Sequence, residues 1–158
     1  MEKITLPENF KIVRAIDPQT AAAGADGDYV SLKNAHHAWI IVDITQGNAA
    51  TIAITVEKAT AVAGTGSTAI TTAVPIWSNA ATGTSDTLVR QANAVSFTTS
   101  AALASKQVIF QIDPATLGEG YDCICVKAGA SNAANVISAT YMLQTRYPQA
   151  TPPTAITD

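Results

Sequence analysis

The sequence is short of charge. Charged residues make up 13% of its 158 positions, about half the usual share, and the formal net charge is -3. Its nine Lys and Arg are scattered singly, so no basic stripe exists to neutralise a run of phosphates, and nucleic acid is excluded as an expected partner. Apolar runs are short too. None approaches the roughly 20 residues that span a bilayer, and "MEKITLPENF" has neither the basic nor the apolar region of a signal peptide. The expectation is a protein made and kept in the cytosol, with no membrane partner.

Cysteine and histidine are equally scarce, at two each. Cys123 and Cys125 stand in "YDCICVKAG", where a C-x-C spacing in a strand points both side chains to one face. Their Cβ atoms are then too far apart for the roughly 3.5–4.5 Å of a disulfide, so unbridged, buried or half-buried thiols are expected. A tetrahedral zinc site would need two further ligands, and only the histidines are obvious candidates. His36 and His37 open "HHAWIIVDITQ", but neighbours in a strand face opposite ways and cannot share a metal ion without a bulge. His37 does share a face with Trp39, Ile41 and Asp43, yet three two-residue steps set it about 20 Å from Asp43, beyond any dyad.

The other chemical signals are weak. Asp17, Asp26, Asp28, Asp86, Asp113 and Asp122 fall at loops or strand ends, where aspartate bonds its own backbone. "AGADGD" (23–28) alternates Asp and Gly like a calcium loop but lacks the closing bidentate glutamate. "GTGS" (64–67) has no third glycine, lysine or following helix to cradle a phosphate, and no G-x-S-x-G elbow occurs. Nothing points to catalysis, a cofactor or a metal, and the chain is not expected to be an enzyme.

What the sequence does have is β punctuation. Gly, Asn and Pro separate short runs rich in Val, Ile, Thr, Tyr and Phe, giving nine candidate strands: 10–16, 36–46, 51–60, 74–79, 86–91, 94–99, 106–113, 121–129 and 136–147. Nine strands predict an all-β, two-sheet sandwich or barrel. In 51–58, Ile52, Ile54 and Val56 take one face and Thr51, Ala53, Thr55 and Glu57 the other. "QGNA" (46–49) between two extended runs is a hairpin signal that predicts 36–46 paired with 51–60. Both faces of 121–126 are apolar, which suits a strand in mid-sheet or one against another subunit.

"DPATLGEGYD" (113–122) predicts one helical turn with Asp113 as cap and Pro114 at its first position. The Gly/Thr/Ala-rich stretches 59–73 and 78–86 read as loops projecting from the sandwich. Three of the seven prolines fall in "YPQATPPTAITD" (147–158), an expected extended arm without a ladder of its own. The expected organisation is an N-terminal arm and first strand (1–28), a β-sandwich domain (29–147) and a C-terminal arm (148–158). A weakly charged β-domain with arms suits assembly on a repeating surface, where contacts add by multiplication.

"SLKNAHHAWIIVDITQGNAATIAITVEKATAVAGTGSTAI", followed by "IWSN", "FQIDPATLGEGYDCICVKAG" and "VISATYMLQTRYPQ", resembles small β-rich virion proteins of tailed bacteriophages, the head decoration or cement proteins. The similarity runs from Lys33 to Gln149, with "YDCICV" and "SATYMLQTRYPQ" its strongest pieces. It implies a jelly-roll-like antiparallel β-sandwich on the outer capsid surface, self-associated as a dimer or trimer and clamping neighbouring subunits of the major capsid protein. It also implies a virion location after synthesis in the host cytoplasm. Arg90 and Arg146 are candidate charged anchors, with Tyr147 and Pro148 beside them at the partner surface. The alternatives are a phage tail or adaptor protein, or a carbohydrate-binding module that stacks sugars on Trp39, Trp77 or Tyr121.

Overall fold

The structure, a computed structural model, describes residues 5–157. Its strands are β1 (Phe10–Thr20), β2 (Ala25–Asp26), β3 (Val30–Ser31), β4 (Ala35–Gln46), β5 (Ala53–Ala59), β6 (Thr68–Ala69), β7 (Ile76–Asn79), β8 (Val89–Arg90), β9 (Ser96–Thr98), β10 (Ser105–Ile112), β11 (Cys123–Ala128) and β12 (Asn135–Thr145). Every one of the nine candidate segments contains a strand, and the additions β2, β3 and β6 are two residues each. Such short pieces leave no alternation for a sequence pattern to detect.

The strands form two antiparallel sheets. Sheet A runs β1-β12-β4-β10-β7-β8, and sheet B runs β2-β11-β5-β6, with β3 also on β11 and β9 also on β5. Pairing β1 with β12, β2 and β3 with β11, β4 with β10, and β5 with β9 is the pattern of one long hairpin rolled up. Its arms pass alternately between two sheets, which makes the sandwich a jelly roll.

Alternation decides what the sheets bury. Ile40, Val42 and Ile44 of β4, Val108, Phe110 and Ile112 of β10, and Ile137, Ala139 and Leu143 of β12 face inward from sheet A. They meet Ile54 and Val56 of β5 and Ile124 and Val126 of β11, and all of these are buried in one cluster. Tyr141 crosses this core. Its hydroxyl donates to Asp28 O at 2.9 Å and accepts from Val126 N at 2.8 Å, filling the gap between β2 and β3 along the edge of β11.

The expected hairpin between 36–46 and 51–60 does not form, because β4 and β5 lie in different sheets. Side chains, not a backbone turn, shape the connection. The Gln46 amide donates to Ala50 O and Ser100 O, and Asn135 accepts from Asn48 N while donating to Ala50 O. A Cβ on Gly47 would lie 2.6 Å from Ala134 O, so glycine allows the chain to pass against the next loop and arch across the end of the sandwich. The real hairpin partner of β5 is β6, inside the 59–73 stretch that read as a projecting loop. Its turn is closed by Thr60 N donating to Thr65 O at 2.9 Å.

Two other expectations are met in detail. A 3-10 turn at Pro114–Thr116 is capped by Asp113, whose carboxylate accepts from Ala115 N at 2.9 Å. Strand β11 sits in mid-sheet with both faces covered, and Cys123 and Cys125 are buried and unbridged. The C-terminal segment has no regular strand but lies against its own body. Gln149 N donates to Glu8 O, Ser31 N donates to Ala155 O at 2.7 Å, and Ala155 joins the core.

Two predictions follow from this core. Tyr141→Phe leaves Asp28 O and Val126 N unsatisfied and should cost about 2–3 kcal/mol in urea unfolding; a cost below about 0.5 kcal/mol would refute the bridge. Burial pushes the Cys125 thiol up to about 11 from its usual 9.0. The unfolded thiol therefore loses its proton first, and stability should fall as pH rises from about 9 to 11. Cys125→Ala should remove that contribution, measured as the midpoint of urea unfolding against pH, and an unchanged profile would count against it.

Candidate interaction surface

The two outward faces of the sandwich differ in chemistry. Sheet B is polar outside: the Tyr29 hydroxyl donates to Glu57 at 2.7 Å, and Lys127 pairs with Glu57 at 3.2 Å and with Asp26 at 3.5 Å. These groups and residues 27–31 cover Cys125, whose thiol donates to Gly27 O. Desolvation, then the bond to Glu57, raises the Tyr29 pKa, as expected of a phenol held against a carboxylate.

Sheet A carries an apolar band on its outer face, bordered on one side by the row Ser138, Asp43 and Gln107. Cross-strand register places Ile12, Met142 and Trp39 in one row ending at Gln111. The next row reads Arg14, Thr140, Ile41, Ile109, Trp77 and Arg90 across six strands. Ile12 is 50% exposed, and Trp39, Ile41, Ile109, Met142 and Trp77 are all partly exposed. The second row carries charge only at its ends. Arg14 pairs with Asp17 at 3.5 Å, and the Arg90 guanidinium lies 4.8 Å from the Trp77 ring centre. Arg90 also donates to Ile76 O, Gln91 O and Asn93 Oδ1, so the cation is fixed in place.

Trp39 and Trp77 belong to strands separated by β10 and line one open groove with Leu88, Ile109 and Gln111. Its volume is about 400 Å3. Nothing in the sequence around either tryptophan links it to the other. Only the register of β10 against both β4 and β7 brings them to one face, and no local pattern encodes that. Phe10 packs near Trp39, with ring centres 6.1 Å apart, and so extends the face toward β1.

The other candidates fall elsewhere. Tyr121 is half-buried beneath the Lys58 ammonium, 4.3 Å from its ring centre, and does not join the tryptophans. Arg146 follows β12, its Nε donating to Ala35 O at 3.5 Å, while Tyr147 and Pro148 are exposed beyond it. Of the four anchor candidates, Arg90 alone lies in the apolar rows. His36 is exposed, whereas His37 faces outward with its Nδ1 buried and unbonded, its ring 6.1 Å from Trp39. Among the described residues no three His, Cys, Asp or Glu side chains cluster as a metal site would require. Of the loop aspartates, Asp113 caps a turn, and Asp17, Asp26 and Asp122 form ion pairs, the last 3.5 Å from Lys33.

No protein-family model and no curated protein matches the chain. Among solved structures it is similar to one described as "CBM4 structure and function", at 9% identity and a TM-score of 0.32, covering 89% of this chain and 71% of that one. That likeness is too loose to carry an argument. It is also similar to the SPBc2 prophage-derived protein YomS, at 11% identity and a TM-score of 0.50, over 90% of this chain and 98% of that one. The chain shares its fold with that protein along nearly the full length of both.

Proposed function

We propose that this protein is a structural component of a bacteriophage particle, without catalytic activity or cofactor, that attaches to the outer capsid surface and holds neighbouring major capsid subunits together. The observation that carries the proposal is the asymmetry of the sandwich. One outer face is sealed by charged and hydrogen-bonded groups, while the other presents an uncharged apolar band whose rim carries Arg14, Arg90 and Asp43. Tryptophan, methionine and arginine are the side chains enriched where proteins dock, with apolar groups central and charges at the rim. Prophage origin of the structural neighbour YomS supports the phage assignment.

The two rows hold about ten outward positions, roughly 320 Å2 at about 4.8 Å between strands and about 6.6 Å between rows. Contact there would bury about twice that in total, short of the roughly 1,000 Å2 of a specific interface, so a single copy would be held weakly. Self-association as a dimer or trimer on the shell would multiply such contacts.

A second reading, a carbohydrate-binding module, draws on one specific observation: Trp39 and Trp77 share a groove on a sheet face. Binding on a glycan array that is lost in Trp77→Ala would favour it over capsid attachment.

Two measurements test the main proposal. Quantitative mass spectrometry of purified particles should find this chain near parity with the major capsid protein. A small fraction, enough for one ring, would move it to the tail or an adaptor, and absence would discard the virion reading. Ile41→Asp places a charge at the centre of the band at a half-exposed position. It should lower the melting temperature by a few degrees without unfolding the chain, and weaken retention on shells at least tenfold, about 1.4 kcal/mol. Unaltered retention would remove the sheet A face from the proposal.

A further inference from the structure

A second cavity lies away from the apolar band, on the side of the sandwich where β7 of sheet A and β9 of sheet B form the rim, and its volume is about 360 Å3. That is within the range of small-ligand sites, which combine apolar walls with a few convergent polar groups. Phe97 and Val108 supply the apolar wall, and Ser78, Gln91 and Thr99 supply polar groups. Lys106 also lines it and is only 4% exposed.

Lys106 is unusual in its partners. Its ammonium donates to Gln46 Oε1 at 2.7 Å, to Ser100 O at 3.0 Å and to Ala102 O. All three acceptors are neutral, and among the described residues no Asp or Glu lines the cavity. Lysine is almost never fully buried unless paired, because a charge removed from water without a counter-charge is costly. Among the described residues the only formal charge lining this cavity is therefore positive, in a chain whose net charge is -3.

Two hydroxyls are placed to donate. Ser78 Oγ accepts from Gln91 Nε2 at 3.1 Å, and Thr99 Oγ1 accepts from Ile52 N at 2.9 Å. Each oxygen accepts there and keeps a proton that it can donate.

We propose that this cavity binds a small organic carboxylate, its apolar body against Phe97 and Val108 and its oxygens on the Ser78 and Thr99 hydroxyls, in the field of the Lys106 ammonium, whose own three protons stay on Gln46, Ser100 and Ala102. The anion would supply the counter-charge that the fold omits. This site is independent of the capsid-binding face, and either could fail without the other. Burial lowers the Lys106 pKa, and a bound carboxylate would draw it back up. Binding should therefore weaken as pH rises through the lysine's titration, where the ammonium is lost.

The test compares hexanoate and benzoate with their neutral amides by calorimetry on the intact chain. The carboxylates are expected to bind at least tenfold more tightly at pH 7, with the advantage shrinking at alkaline pH. Ser78→Phe, which fills the mouth of the cavity, should abolish binding and leave urea unfolding nearly unchanged. Equal binding of acid and amide would overturn the proposal, as would binding that survives a folded Ser78→Phe or no binding of any probe by the wild-type chain. The comparison of acid with amide and the binding by the wild-type chain need no variant, so a misfolded mutant would not protect the idea.

Discussion

Tyr141 ties the two sheets together at the point where the fold most needs it. The edge of β11 is shared by β2 and β3, and between them the neighbouring strand pulls away, which would orphan Val126 N. A phenol reaching across the core from β12 accepts that proton and gives its own to Asp28 O. Buried backbone groups that lose their partners cost about 1–3 kcal/mol each, so one side chain protects two of them. The consequence runs outward. With residues 27–28 pinned, Tyr29 can reach Glu57 and the chain can close over Cys125, sealing the outer face of sheet B.

The ends of the sandwich are closed by a different device. Inward positions on β5 and β10 finish in lysines, Lys58 and Lys106, both nearly buried. Lys58 donates to Leu117 O at the end of the 3-10 turn and lies over Tyr121, while Lys106 gathers the carbonyls of the 99–105 loop. A long apolar stem continues the core, and a charged head can satisfy several carbonyls that no apolar residue could. Gln46 and Asn135 do the same work at the β4–β5 arch. These polar plugs explain how irregular connections lie against a dry core without leaving backbone groups unpaired.

Much of this was legible in the sequence, for physical reasons. Alternation at Ile52, Ile54 and Val56 marks a buried face whatever the strand pairs with, and Asp113-Pro114 marks a capped turn because cap and proline act locally. Pairing was not legible. Gly-Asn after Gln46 suits a hairpin and an arch equally, and the choice rests on Ser100, Asn135 and Lys106, all more than fifty residues away. The same limit hid the apolar band. Ile41, Ile109 and Trp77 each look unremarkable in their own strands, and only register makes them neighbours. Arg90 was picked out as a cation on a weakly charged strand, but its place over Trp77 depends on that same register.

The sheet edges bear on how the apolar band should be understood. β1, the long edge of sheet A, is interrupted by irregularities between Arg14 and Ile16 and between Ile16 and Gln19, and it carries Pro18. The opposite edge, β8, is two residues long, and sheet B ends in β2, β3, β6 and β9, none longer than three. Short, bulged or proline-bearing edges are how β proteins prevent indiscriminate strand pairing. A chain that guards its edges in this way leaves Trp39, Ile41, Ile109 and Trp77 partly exposed on a face rather than an edge. Contact through a face is selected by side-chain shape and by the charges at the rim. Edge pairing would accept any extended peptide, whereas contact through this band would need a matching apolar surface, which is consistent with the attachment to a regular array proposed above.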